Sequence, residues 1–168
     1  MTKSDKLLKL SSLGQSIWYD NLSRELLNDG SLKELIATGI LGLTSNPAIF
    51  EKAISSSDIY DNDIRAMSEL NKSDIEIYEE LAVSDIQSAA DLLFDTYIAT
   101  DKIDGLVSLE VNPHLANDTQ GTILEAKRLF KQVDRPNLMI KVPATPEGIP
   151  AIEHLIGEGI SVNVTLIF

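Results

Sequence analysis

Short apolar runs alternate with amphipathic segments along the whole chain. Runs suited to buried strands fall at 16–20, 40–45, 105–111, 138–142 and 161–168. The segments between them carry helix punctuation. Ser31-Leu32-Lys33-Glu34 has the form of a capping box, with Gly39 placed to end the helix that follows. Asp118-Thr119 can open a helix through Lys131, with Ile123, Leu124, Lys127 and Phe130 at helical spacing. Thr145-Pro146-Glu147 supplies a capping hydroxyl, a proline for the first turn and an acid beside it, predicting a helix over 147–157. The longer stretch 50–102 reads as helical throughout. Its clearest part is 84–97, where Ile86, Ala89, Ala90, Leu93, Phe94 and Tyr97 share one face and Ser84-Asp85-Ile86-Gln87 has capping-box form.

Strands alternating with helices predict an α/β fold with parallel pairing and right-handed crossovers. Two architectures satisfy that pattern, a (β/α)8 TIM barrel and a doubly wound open sheet. No G-x-G-x-x-G follows the first run and no G-x-x-x-x-G-K-[ST] occurs, which weighs against the nucleotide-binding sheet. Polar groups near the C-terminal ends of several runs favour the barrel, whose active sites sit at that face. A closed barrel needs eight strands and the chain supplies five, the last stopping within Leu166-Ile167-Phe168. The expectation is therefore that 1–168 is the N-terminal part of a single barrel domain in a longer protein, with a helical insertion over about 50–104.

Composition narrows the chemistry. The 168 residues hold 26 Asp+Glu against 14 Lys+Arg, a net charge of −12, with no basic run to attract nucleic acid or an anionic membrane. The absence of cysteine removes disulfides, zinc thiolates and thiol catalysis together. The first ten residues alternate charge with leucine and offer no apolar core for a signal peptide, so a cytoplasmic location is expected. His114 and His154 lack a metal-ligand spacing and read as structural or surface residues. The acids at 58–63 lack the glycine of a calcium loop and read as a solvated helix start.

Lys141 is the conspicuous residue, a single cation inside Leu138-Met139-Ile140-Lys141-Val142-Pro143. An ammonium in such a run is costly to desolvate, so it either reaches solvent along its stem or gives up its proton. A neutral lysine attacks carbonyl carbon, the first requirement of Schiff-base catalysis. Strand alternation asks which other polar residues could join it. Ser16, Trp18 and Asp20 share a face of the first run, Thr44 and Asn46 of the second, and Ser108, Glu110 and Asn112 of the third. Met139 pairs with Lys141 on the fourth, and Asn163 with Thr165 on the fifth. Each has an ordinary alternative: a helix cap for Asp20, a turn before Pro47 for Asn46, an exposed strand end for Glu110, β-propensity alone for Thr165. Taken together they suit proton transfer around an amine and a sugar.

At these residues the chain resembles the transaldolase family, in its long bacterial form. Gly42-Leu43-Thr44-Ser45-Asn46-Pro47-Ala48-Ile49-Phe50 resembles one family signature, and Leu138 through Ala151, around Lys141, resembles the second. Val107-Ser108-Leu109-Glu110-Val111-Asn112-Pro113, the segment 161–168 and Gly14 through Leu22 resemble further family segments. The resemblance implies reversible transfer of a dihydroxyacetone unit from sedoheptulose 7-phosphate to glyceraldehyde 3-phosphate, giving erythrose 4-phosphate and fructose 6-phosphate in the pentose phosphate pathway. It implies Lys141 as the imine-forming lysine and Asp20 as the base for the cleaving hydroxyl. Glu110 and Thr165 would handle the catalytic water, and Thr44, Asn46 and Asn163 would line the dihydroxyacetone pocket, with no metal or organic cofactor. The family's phosphate-holding arginine and serine lie beyond the strand on which this chain stops, so little turnover is expected from 1–168 alone. Two readings compete: a related Schiff-base aldolase that cleaves fructose 6-phosphate without passing the unit on, and a non-catalytic binding or structural relative.

Overall fold

A computed structural model describes residues 3–167. Five strands form one sheet in the order of the chain, β1 (Trp18–Asp20), β2 (Gly42–Thr44), β3 (Leu106–Glu110), β4 (Leu138–Pro143) and β5 (Val162–Thr165), and every adjacent pair is parallel. A doubly wound sheet reverses its strand order at a switch point. The sequential order here is that of a (β/α)8 barrel, of which these are five strands.

The five expected strands are all present; four are trimmed at their ends, and β4 runs one residue further, to Pro143. β1 begins at Trp18, because Ser16 lies before it and turns its hydroxyl to the Asp104 carboxylate. β5 ends at Thr165, where Leu166 takes a left-handed φ of +62°. Phe168, the last residue of that expected strand, lies outside the described residues.

Helices α1 (Lys3–Ser12), α2 (Arg24–Asn28) and α3 (Ser31–Ala37) accompany the first two strands. The expected capping box at Ser31 is not formed. Gly30, with φ +88°, is the N-cap of α3, and the Asp29 carboxylate accepts the Ser31 N–H at 2.8 Å. The helical stretch after β2 is α4 (Pro47–Ser55), a 3₁₀ turn (Asp58–Tyr60), α5 (Asp61–Glu69) and α6 (Asp74–Ala99). The capping box of α6 is at Ser73 and Glu76, not at Ser84, which lies mid-helix. The Glu76 carboxylate accepts the Ser73 N–H at 2.8 Å, so the helix starts eleven residues ahead of the expected cap. Its buried face contains Ile86, Ala89, Ala90, Leu93 and Tyr97 as expected, whereas Phe94 is exposed. Helix α7 (Thr119–Val133) opens on Asp118 as expected. Its inner face is Ile123, Ala126, Leu129 and Val133, and Leu124 points to solvent. In α8 (Gly148–Gly157) the Thr145 hydroxyl accepts the Gly148 N–H at 2.9 Å, so the capping group stands three residues ahead of the helix.

The sheet divides the chain into two faces. Leu43, Val107, Leu138, Ile140 and Val142 point outward under the helices and are fully buried, forming one core with Leu22, Phe50, Ile86, Leu93 and Leu155. Asn137 ties this layer together at the foot of β4. Its amide donates to Ala90 O of α6 and to Gly105 O before β3, both at 2.8 Å. Gly105 is required there. With φ +74° it lies so close to α6 that a Cβ would stand 2.2 Å from the Tyr97 nitrogen. Among the described residues no helix is long and apolar enough to cross a membrane.

Candidate active site

Parallel pairing aligns the inward residues of neighbouring strands into rungs. Asp20, Thr44, Ser108 and Met139 occupy one rung, Glu110, Lys141 and Asn163 the next, and Pro143 and Thr165 the last. The expected polar residues therefore converge at the C-terminal end of the sheet, on the face opposite the helices. Besides Ser16, which lies before β1 against Asp104, two of them stand elsewhere. Asn46 lies past β2 as the N-cap of α4, its Oδ1 accepting the Ile49 N–H at 3.0 Å. Asn112 lies past β3 and caps the 3₁₀ turn Pro113–Leu115.

Lys141 neither reaches freely into solvent nor stands among apolar groups alone. Its side chain is 12% exposed, and Nζ lies 3.2 Å from Glu110 Oε2. Nζ also donates to Ser45 O at 3.3 Å. Ser45 is held in turn by its own hydroxyl, which donates to Ser108 O at 2.9 Å. The strand end carrying Lys141 is braced by α8. A Cβ on Gly148 would stand 2.0 Å from Pro143 O, so the helix can approach the end of β4 only with glycine at this position.

A polar relay crosses the rungs beneath Lys141. Asn163 Nδ2 donates to Ser108 Oγ at 2.9 Å, and Ser108 Oγ donates to Thr44 Oγ1 at 3.0 Å. Ser108 is fully buried, so this hydroxyl finds both its partners within the protein. Asp20 is exposed and lines a cavity of about 490 Å³ with Asn21, Asn46, Ile49 and Lys52. A second cavity, of about 290 Å³, opens at the end of β3 beside Pro47, Tyr78, Glu110 and Asn112. Burial, and after it the charge of Glu110, pushes the Tyr78 hydroxyl up to about 12. The Tyr78 ring is held edge-on against Phe50, 6.1 Å between centroids.

Chemically, an amine beside a carboxylate can form an imine and exchange protons through it. Hydroxyl and amide groups on the neighbouring rungs suit a polyhydroxylated ligand. His114 is exposed in the turn after β3, and His154 pairs with Glu158 at 3.0 Å on the surface of α8. Among the described residues no three His, Asp or Glu side chains stand close enough to hold a metal ion. Sequence reasoning did not single out Ser45 or Tyr78, and it saw Ser108 only as a residue of the right face. Ser45 points to the site through its backbone and Tyr78 arrives from α6, so alternation along a strand signals neither.

Comparison with known proteins gives one family. Residues 17–168 match the model for transaldolase/fructose-6-phosphate aldolase. The chain is 53% identical over 166 residues to a transaldolase of Trichodesmium erythraeum, with 98% of this chain and 44% of that protein covered. It is 52% identical to transaldolases of Thermobifida fusca and Thiobacillus denitrificans, over 163 and 160 residues. Those matches cover 96% and 95% of this chain and 44% and 45% of the relatives. The chain thus spans less than half the length of the curated relatives it matches.

Proposed function

The chain belongs to the transaldolase/fructose-6-phosphate aldolase family, and from that we propose that it carries the Schiff-base machinery of a transaldolase. The protein it belongs to would move a dihydroxyacetone unit reversibly from sedoheptulose 7-phosphate to glyceraldehyde 3-phosphate. The products are erythrose 4-phosphate and fructose 6-phosphate, in the pentose phosphate pathway of the cytoplasm. Residues 1–168 make the N-terminal part of a single barrel domain, and about 50–104 are its helical insertion.

The observation that carries the reading is the Lys141–Glu110 pair, 3.2 Å apart on adjacent strands. The amine must lose a proton before it attacks, and Glu110 is within reach to accept it. Lys141 Nζ then adds to the donor ketone. Glu110, with Thr165 orienting the water, protonates the carbinolamine hydroxyl, and water leaves as the imine forms. Asp20 takes the proton of the hydroxyl next to the breaking bond, the carbon–carbon bond opens, and its electrons pass into the imine to give an enamine. That enamine attacks the acceptor aldehyde, and hydrolysis returns the lysine. Thr44, Asn46 and Asn163 hold the hydroxyls of the dihydroxyacetone unit, with Asn163 oriented by Ser108. The lysine is its own electron sink, so these steps call on no metal or organic cofactor.

Borohydride trapping with fructose 6-phosphate, followed by mass mapping, tests the reading, with the Thermobifida fusca transaldolase run as the positive control. The expected result is a reduced adduct on Lys141 that disappears in Lys141→Ala. An unlabelled Lys141 in the full-length protein that contains residues 1–168, beside a labelled control, would refute it. Cleavage without transfer is the second reading, since the matched family includes fructose-6-phosphate aldolase. It predicts that added erythrose 4-phosphate leaves the fate of the three-carbon unit unchanged, whereas transfer predicts sedoheptulose 7-phosphate.

A further inference from the structure

Asp85, in the middle of α6, is the only buried charged residue among those described, at 2% exposure. A carboxylate so placed needs partners. It accepts from Arg24 Nε at 3.0 Å and from the Tyr60 hydroxyl at 2.7 Å. The Tyr60 oxygen in turn accepts the backbone N–H of Arg24 at 2.8 Å, and the guanidinium lies 4.4 Å from the centre of the Tyr60 ring. Arg24 Nη1 also reaches Asp63 at 2.5 Å. Burial pushes the Asp85 carboxyl up, against the Tyr60 hydroxyl and the Arg24 charge that hold it down.

The geometry of these bonds goes beyond neutralising a charge. They meet on the main chain and the side chain of Arg24, the first residue of α2 and four residues past Asp20. The short loop between is fixed at one end by pairing of Asp20 with Thr44 and at the other by Arg24, with Leu22 fully buried between them. Asp20 itself is exposed, so its aim comes from its backbone. Tyr60 and Asp85 belong to the helical stretch that also carries Asn46 and Lys52, which face Asp20 across the 490 Å³ cavity. A further bridge joins the same two parts, Ser57 Oγ donating to Glu25 Oε1 at 2.7 Å.

We propose that Arg24, Tyr60 and Asp85 form a positioning cluster that holds the β1–α2 loop, and through it the Asp20 carboxylate, in place for carbon–carbon cleavage. This rests on the proposed role of Asp20. The cluster acts on one step only. Imine formation belongs to Lys141 and Glu110 on other strands, while cleavage needs a base within tight tolerance of the hydroxyl proton.

Trapping separates the two steps by mass. Fructose 6-phosphate first forms a six-carbon imine on Lys141. Asp20 then removes the C4 hydroxyl proton, the C3–C4 bond breaks, glyceraldehyde 3-phosphate leaves, and the enamine takes a proton at C3 to become a three-carbon imine. Borohydride reduces either imine to a stable amine. Tyr60→Phe keeps the ring under the guanidinium and removes the oxygen that bonds both Asp85 and the Arg24 N–H. In Tyr60→Phe, total labelling of Lys141 should stay within about twofold while the ratio of six-carbon to three-carbon adduct rises about tenfold, as in Asp20→Asn. Backbone amides of residues 21–24 should also exchange faster than in wild type, with the exchange of β3 and β4 unchanged. Asp85→Asn is the second variant, should Tyr60→Phe fold poorly.

An unchanged adduct ratio in Tyr60→Phe, with Asp20→Asn shifting it, would overturn the proposal. An unchanged ratio in Asp20→Asn itself, or a wild type with no adduct, would count against the reading of the site instead. The hydrogen-exchange arm then decides the clamp alone, and unchanged exchange at 21–24 would overturn it.

Discussion

Ser108→Ala should weaken the sheet and loosen two proposed ligand-binding residues at once. The Ser108 hydroxyl is the middle of a relay, taking a hydrogen bond from Asn163 at 2.9 Å and giving one to Thr44 at 3.0 Å. Removing one oxygen leaves almost no cavity, so the loss is in hydrogen bonding. Two neutral bonds contribute about 0.5–1.5 kcal/mol each. Thr44 and Asn163 are only half-buried and can turn to water, which places the cost near the lower end, about 1–2 kcal/mol. For a chain of this length that is a fall in Tm of roughly 2–8 °C. Urea titration monitored by circular dichroism measures it, with an unchanged m-value showing that the same surface is exposed. A double-mutant cycle with Asn163→Ala isolates the bond and should return a coupling of about 0.5–1 kcal/mol. A cycle that closes additively would refute the relay, because the two side chains would then be neighbours without being bonded.

Three further outcomes follow from the same kind of reasoning. Asn137→Ala removes two buried donations and should cost about 2 kcal/mol, while Asn137→Asp faces carboxylate oxygen to two carbonyls and should cost more than twice that at neutral pH; equal unfolding midpoints for the two variants would show that the amide is oriented the other way. Gly148→Ala forces α8 away from Pro143 O and should cost about 1–3 kcal/mol by urea titration while lowering borohydride labelling of Lys141, whereas unchanged labelling would mean that the end of β4 does not depend on α8. The Ser73 hydroxyl and N–H hold the Glu76 carboxyl below the usual carboxylate range, so the cap on α6 is complete above about pH 4.3 and is lost as pH falls through the lower, folded-state value. Protection factors of the amides at 73–77, corrected for the intrinsic exchange rate, should therefore fall in acid, and Glu76→Gln should abolish that dependence.

Element type was legible because the two periodicities differ so clearly. All five strands and the helical nature of 50–102 follow from apolar spacing, and parallel pairing follows from their alternation. Element starts were less legible where two capping patterns compete. Ser84-Asp85-Ile86-Gln87 and Ser73-Asp74-Ile75-Glu76 have the same form. A cap forms only where the chain enters the helix, and nothing local forbids α6 from running straight through Ser84. At Ser31 the helix is capped one residue earlier, at Gly30, and the Glu34 N–H that the hydroxyl would have claimed donates to Gly30 O at 3.1 Å. Leu124 and Phe94 illustrate a third limit. Both lie near the edge of an apolar stripe, and which edge is covered depends on how neighbouring helices pack.

The candidate site divides along the same physical line. Alternation within a strand brought Asp20, Thr44, Glu110, Lys141, Asn163 and Thr165 to one face, since that property belongs to each strand alone. Stagger between strands is a property of the pairing. It sets Glu110, and not Ser108, beside Lys141, and it lowers Asp20 by one rung relative to the amine. No spacing within a single run encodes that offset. The contacts of greatest consequence lie further from the pattern still: a backbone carbonyl at Ser45 facing the Lys141 amine, a Tyr78 ring arriving from α6, and a buried Asp85 gripping Arg24. Asp85 shows the limit most plainly. As sequence it is one acid in a helix with several, and what distinguishes it is that Arg24 and Tyr60, 61 and 25 residues away, fold onto it. With the proposed roles, Asp20 can be exposed to a substrate and still be aimed, because Tyr60 and Asp85, which hold the loop behind it, are buried elsewhere.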